Sequence, residues 1–227
     1  MNNPIRSLSR CEWALWLASL AVVLIANLMT PEPDPLTMAA ALVGVTSLVF
    51  AAKGNVWAQI LMIVFSILYG VISFRFRYWG EMITYLGMTL PMAVWSTVTW
   101  LKNPSKENGS EVAIQTLARR HLTLLAVSTV AVTAVFYFIL KALGTPNLFF
   151  STVSVITSFL AAALTMLRSS YYAMGYAAND VVLIVLWVMA SMDDPAYIPV
   201  AVNFGIFLLN DLYGFVSWKK REVLQAA

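Results

Sequence analysis

The chain alternates long apolar runs with short polar breaks. After Arg6 and Arg10 the first run extends from about Trp13 to Met29; others follow at 36–52, 56–74, 79–101, 120–140, 148–167, 171–190 and 196–218. Each holds about 17–23 residues, enough helix at 1.5 Å per residue to cross roughly 30 Å of hydrocarbon. The pattern predicts eight transmembrane helices. Pro31-Glu32-Pro33-Asp34-Pro35 closes the first, because proline cannot continue a helix. No small-x-small cleavage site follows that run, so it reads as a retained helix and not as a cleaved signal peptide.

Composition points the same way. The 227 residues are 60% hydrophobic and 11% charged, with a mean hydropathy of +0.78; soluble domains carry about 25% charged residues. An all-α polytopic membrane protein is expected. The net charge of +3 does not point to nucleic acid, since the basic residues form short clusters between apolar runs and no continuous stripe. They set orientation instead. With a cytoplasmic N-terminus, eleven of the Lys and Arg residues fall inside and only Arg75, Arg77 and Lys141 outside. Both termini are therefore expected in the cytoplasm, with Arg75 and Arg77 as the one discordant spot.

Much chemistry is excluded. Cys11 is the single cysteine and His121 the single histidine, which rules out an internal disulfide and a His/Cys metal site. No phosphate-binding Gly-x-x-x-x-Gly-Lys-Ser/Thr stretch is present, and the polar loops are too short for a nucleotide-binding domain. No catalytic residue, metal or cofactor is expected. An intramembrane enzyme would have only carboxylates and hydroxyls to work with. A purely structural subunit is the remaining rival, and it should show no ligand-dependent thermal shift.

The longest polar connection, Lys102 to Arg119, divides the chain near its middle. At an offset of 118, Gly87 aligns with Gly205, Leu90 with Leu208, Val98 with Val216, Trp100 with Trp218 and Lys102 with Lys220; an offset of 115 places Lys53-Gly54 on Arg168-Ser169. Two three-helix repeats each cross an odd number of times, so one linking helix restores a parallel orientation. The expected order is an N-terminal helix and loop (1–35), a first repeat (36–101), a loop and linker helix (102–145), a second repeat (146–220) and a tail (221–227). Parallel repeats of this kind occur in SWEET-type transporters, with sites near the midplane at the repeat interface.

Polar groups inside such a bundle are the candidate site. Asn179-Asp180 lies in the middle of the seventh run, where a charged Asp costs roughly 2.5–3.5 kcal/mol on insertion scales. Asn210-Asp211 repeats the dipeptide in the last run. Glu81, Tyr85, Met88, Met92, Trp95 and Thr99 fall at helical spacing on one predicted stripe, and Asn203, Phe207, Asn210 and Gly214 on another. Gln59 and Tyr69 come from the third run, Tyr172, Tyr176 and Trp187 from the seventh. The candidate substrate-binding set is Gln59, Tyr69, Glu81, Tyr85, Trp95, Tyr172, Tyr176, Asn179, Asp180, Trp187, Asn203 and Asn210. Met88 and Met92 read as packing, and Trp57, Trp79, Trp100 and Trp218, at helix ends, as interfacial anchors. Asn179 and Asn210 also suit interhelical hydrogen bonding.

At Tyr78-Trp79-Gly80-Glu81, Asn179-Asp180 through Trp187 and Asn210-Asp211-Leu212-Tyr213-Gly214 through Trp218, the sequence resembles the PnuC family of nicotinamide riboside transporters. The resemblance runs from about Gly44 to Arg221. It implies a SWEET-like fold in a bacterial inner membrane and facilitated diffusion of the nucleoside, which feeds NAD biosynthesis once a separate cytoplasmic kinase traps it by phosphorylation. It also implies a homo-oligomer, a trimer. Relatives in the wider Pnu group carry thiamine or riboflavin, which leaves the vitamin open. A flat cationic ring with a carboxamide and a ribose calls for aromatic faces, amides and hydroxyl acceptors, which the candidate set supplies.

Overall fold

A computed structural model describes residues 4–30, 33–106, 109–145 and 147–226. Pro31 and Glu32 of the predicted helix-ending stretch lie outside the described residues. The helices are α1 (Arg10–Leu28), α2 (Pro35–Ala52), α3 (Trp57–Arg75), α4 (Trp79–Thr84), a π-helical turn (Tyr85–Thr89), α5 (Leu90–Lys102), α6 (Arg119–Ala142), α7 (Leu148–Met166), α8 (Tyr172–Asp193) and α9 (Ile198–Ala226). Seven of the described helical runs are individually long and apolar enough to cross a membrane. The eighth crossing is the composite of α4, the π turn and α5. The starts follow local chemistry: Ser9 and Glu12 form a reciprocal capping box on α1, and Asp34 accepts the N–H groups of Leu36 and Thr37 ahead of Pro35 on α2.

The break in the fourth crossing has a cause in the sequence. Pro91 has no N–H to give the carbonyl of Gly87, and its ring crowds that carbonyl. Just before it the helix widens, and the Leu90 N–H bonds to the Tyr85 carbonyl, five residues back. One extra residue in a turn rotates everything after it by about 100°. The buried face accordingly passes from Glu81, Tyr85 and Met88 to Thr89, Ala93, Ser96 and Trp100, one residue later than the predicted stripe. Trp95 is turned outward and is 66% exposed, so it leaves the candidate set.

Within each repeat the middle helix packs between the other two, α3 between α2 and α5, α8 between α7 and α9. The first helix of each repeat meets the last of the other, α2 on α9 and α5 on α7, closing a ring of six. The linker α6 runs outside it against α7, with only Thr129 and Leu140 buried. The extra helix α1 covers the seam between α2 and α9. It bonds to both sides: the Trp16 indole N–H donates to Thr46 Oγ1 on α2 (3.2 Å), and Asn27 and Ser19 bond to Asn203 (3.3 Å) and Asn210 (2.9 Å) on α9.

The repeat is visible in one pair of hydrogen bonds. The Trp100 indole N–H donates to the Thr165 carbonyl at the end of α7 (2.9 Å), and the Trp218 indole N–H to the Ala51 carbonyl at the end of α2 (2.7 Å). Their ring centroids are 5.6 Å apart. Trp100 and Trp218 are thus not interfacial anchors: they are 2% and 0% exposed, because each completes the last turn of a helix in the opposite repeat. Trp57 is exposed and Trp79 half-buried. Gly54 (φ 65) and Arg168 (φ 55) end α2 and α7 in the same left-handed geometry, an offset of 114 and not 115.

With eight crossings both termini emerge at one end, where the basic residues gather. There the segment after α5 straps across the helix ends: Arg221 bonds to Glu111 and the Lys53 carbonyl, Arg168 to the Ala113 carbonyl (3.1 Å) and Gln115 (2.9 Å), and Lys53 pairs with Glu12 (3.2 Å). At the opposite end Arg75 lies 3.7 Å from Asp34, which gives the discordant arginine a partner.

Candidate functional site

Midway through the ring, α2, α3, the π turn, α7, α8 and α9 enclose a cavity of about 30 Å³. Its polar wall is Tyr85, Thr89, Ser158, Tyr176, Asn179, Asp180 and Asp211; its apolar wall is led by Phe65, Phe204 and Phe207. Each half of the ring contributes. Gly175, on α8, allows the approach of α7 that brings Ser158 to Asn179: a Cβ there would sit 2.8 Å from the Ala161 Cα. Asn179 accepts hydrogen bonds through Oδ1 from Thr157 (2.9 Å), Ser158 (2.8 Å) and, longer, Ser154 (3.4 Å). With that oxygen engaged, the amide has its NH₂ left to donate into the cavity.

Asp180 and Asp211 are both buried and close enough for their carboxyls to interact. Among the described residues Asp180 Oδ2 has no hydrogen-bond partner. No Lys or Arg is among the described residues lining the cavity. A site with two carboxyls, one amide donor and several ring faces is complementary to a flat, positively charged, hydroxylated molecule. At about 30 Å³ it holds roughly one water, against 300 Å³ or more for a typical ligand pocket, so this conformation is closed around its centre.

The other candidates are distributed differently. Tyr69 stands above the cavity, its ring 4.3 Å from Tyr85 and 6.4 Å from Trp187, in a partition of tilted and edge-on aromatic contacts. Beyond that partition, toward the end opposite the termini, Glu81 and Trp187 line a second chamber of about 280 Å³. Tyr172 is buried beside Trp218 (4.6 Å) below the cavity, and Gln59 is buried on α3 without forming part of the cavity wall. Asn203 and Asn210 face α1, where the hydrogen bonds to Asn27 and Ser19 engage them, so they act as interhelical ties and not as cavity lining. Asp211, adjacent to Asn210, lines the cavity in its place. Asp211 shares a helical face with Phe204 and Phe207, a signal present in the sequence, yet only the position of α1 decides which neighbouring face looks inward.

The family model for the nicotinamide mononucleotide transporter matches residues 34–220. The chain belongs to this transporter family. Nicotinamide riboside transporter PnuC from Neisseria mucosa is 27% identical over 216 residues, covering 91% of this chain and 80% of that protein. The corresponding PnuC of Haemophilus influenzae is 26% identical over 209 residues, covering 91% and 88%. A crystal structure of the vitamin B3 transporter PnuC superposes with a TM-score of 0.84 at 23% identity, over 96% of this chain and 94% of that one. The family match begins at residue 34, after α1, while the match to the solved structure takes in 96% of the chain.

Proposed function

We propose that this protein carries nicotinamide riboside across a bacterial inner membrane, with both termini in the cytoplasm. The supporting observation is the central cavity at the repeat interface, where Asp180, Asp211 and Asn179 meet the Tyr85, Tyr176 and Phe207 rings without a competing cation. The pyridinium ring stacks on the aromatics, a carboxyl balances its charge, and ribose hydroxyls donate to the remaining carboxyl oxygens. The two three-helix units rock about the site, alternately opening the aromatic partition and the clasp that Trp100 and Trp218 form at the other end. The nucleoside moves down its gradient and a separate cytoplasmic kinase traps it. The protein is a homotrimer in this reading.

Binding and uptake test it directly. Purified wild-type protein is titrated with nicotinamide riboside, nicotinamide, thiamine and riboflavin, and vesicle uptake is measured for Asn179→Ala and Asp180→Asn. Nicotinamide riboside is expected to bind, and each variant to lose at least tenfold in affinity, about 1.4 kcal/mol. Binding of thiamine or riboflavin in its place, or wild-type affinity in both variants, overturns the assignment.

A further inference from the structure

The outer chamber has the makings of a site in its own right. At about 280 Å³ it is some ninefold larger than the closed central cavity, and it is the one of the two that has room for a ring-sized ligand in this conformation. Glu81 is 7% exposed, yet among the described residues its Oε2 has no hydrogen-bond partner, and the Thr145 hydroxyl in the same chamber wall has none either. Leaving a carboxylate oxygen buried and unpaired costs free energy that a ligand can recover. Gly80 is what lets these groups converge: a Cβ there would stand 2.7 Å from Leu140 Cδ2 and 3.0 Å from Thr145 Cγ2. The Tyr78 and Trp187 rings, 4.9 Å apart, supply aromatic surface, and Asp193 adds a second carboxyl. No basic side chain is among the described lining residues.

We propose that this chamber is a separate outer binding station for a flat aromatic cation, occupied before the ligand passes the Tyr69 and Trp187 partition. Glu81 holds the charge and Trp187 the ring. Glu81 precedes Tyr85 by four residues on one helix face, so the station and the central cavity lie one turn apart along α4 and the π turn. The identity of the ligand as the transported nucleoside rests on the function proposed above. The charge and ring selectivity of the chamber does not.

Two readouts on the purified full chain separate the sites. Quenching of tryptophan fluorescence reports the outer chamber, because pyridinium rings quench indoles on contact and Trp187 lines it; calorimetric titration reports the central cavity, where no tryptophan is among the described lining residues. The probes are nicotinamide riboside, the cation 1-methylnicotinamide, which lacks ribose, and neutral nicotinamide. Wild type is expected to show weak quenching with both cations, lost in Trp187→Phe, and tight calorimetric binding of the riboside alone. Glu81→Gln, checked by thermal melting to be folded, weakens the quenching about tenfold and leaves the tight binding; Asn179→Ala does the reverse. Loss of both signals alike in both variants overturns the station, as does equal quenching by neutral nicotinamide. Tight riboside binding with no Glu81-dependent quenching removes the station and keeps the cargo. Glu81-dependent quenching by 1-methylnicotinamide without tight riboside binding keeps the station and removes the cargo.

Discussion

Replacing Trp218 with Phe tests the symmetric clasp. The substitution removes the indole N–H that meets the Ala51 carbonyl at 2.7 Å, in a place with no water access, since Trp218 is fully buried. The Ala51 carbonyl keeps the Gly54 N–H (2.8 Å), so the loss is that of one buried hydrogen bond, about 0.5–1.5 kcal/mol. For a chain of this size each kcal/mol moves the melting midpoint by roughly 2–4 °C, so a fall of about 1–6 °C is expected. Trp100→Phe removes the equivalent bond to Thr165 and should fall in the same range. Because the two rings are 5.6 Å apart, the double variant should depart from additivity by about 0.5–1.5 kcal/mol. The assay is thermal melting of the four purified proteins side by side in one detergent. A loss in one single variant with none in the other would refute the symmetric reading, and strict additivity would refute the ring contact.

Two further outcomes are expected. Trp95→Leu leaves binding and uptake at wild-type levels, because that side chain projects outward from the bundle; a tenfold loss in either measurement returns it to the site. Asp34→Ala removes the cap of α2 and lowers stability by about 1 kcal/mol at neutral pH. Burial opposes ionisation of Asp34, but hydrogen bonds from Thr37 and Leu36 and the Arg75 charge outweigh it and hold the carboxyl below its usual range. The group with the lowered folded pKa stabilises fully above the unfolded value, near 3.9, and loses that contribution as pH falls through the folded value. Melts of wild type and variant should therefore differ at pH 7 and converge in acid; a gap that widens in acid contradicts the assignment.

Hydrophobic run lengths made the eight crossings legible, and the offset of Trp100 and Trp218 made the repeat legible, because both depend on local periodicity. The central carboxyl was legible too: Asp180 stands out in an apolar helix wherever that helix packs. The errors trace to two features that periodicity does not carry. Pro91 widens one turn, and the resulting rotation moved Trp95 outward and Trp100 inward together. Reading that proline as a phase shift would have corrected both. The position of α1 took up Asn203 and Asn210 and left Asp211 to face the cavity. Which of two adjacent polar faces looks inward is a tertiary fact, decided by what covers the other.

The placement of α1 also bears on how the ring can open. One of its two seams, between α2 and α9, is riveted from outside by a helix bonded to both flanks through Trp16, Ser19 and Asn27. The other seam, between α5 and α7, has no such cover along its length; α6 lies on α7 and reaches across only at the α4 end. The Trp100 to Thr165 hydrogen bond ties that second seam at the end near the termini, so a ring covered on one side and uncovered on the other behaves as a clamshell: the covered seam is the hinge, and the lips, α5 and α7, part from the opposite, free end. The Pro91 turn lies next to that free lip, where a helix already wound loosely bends most easily.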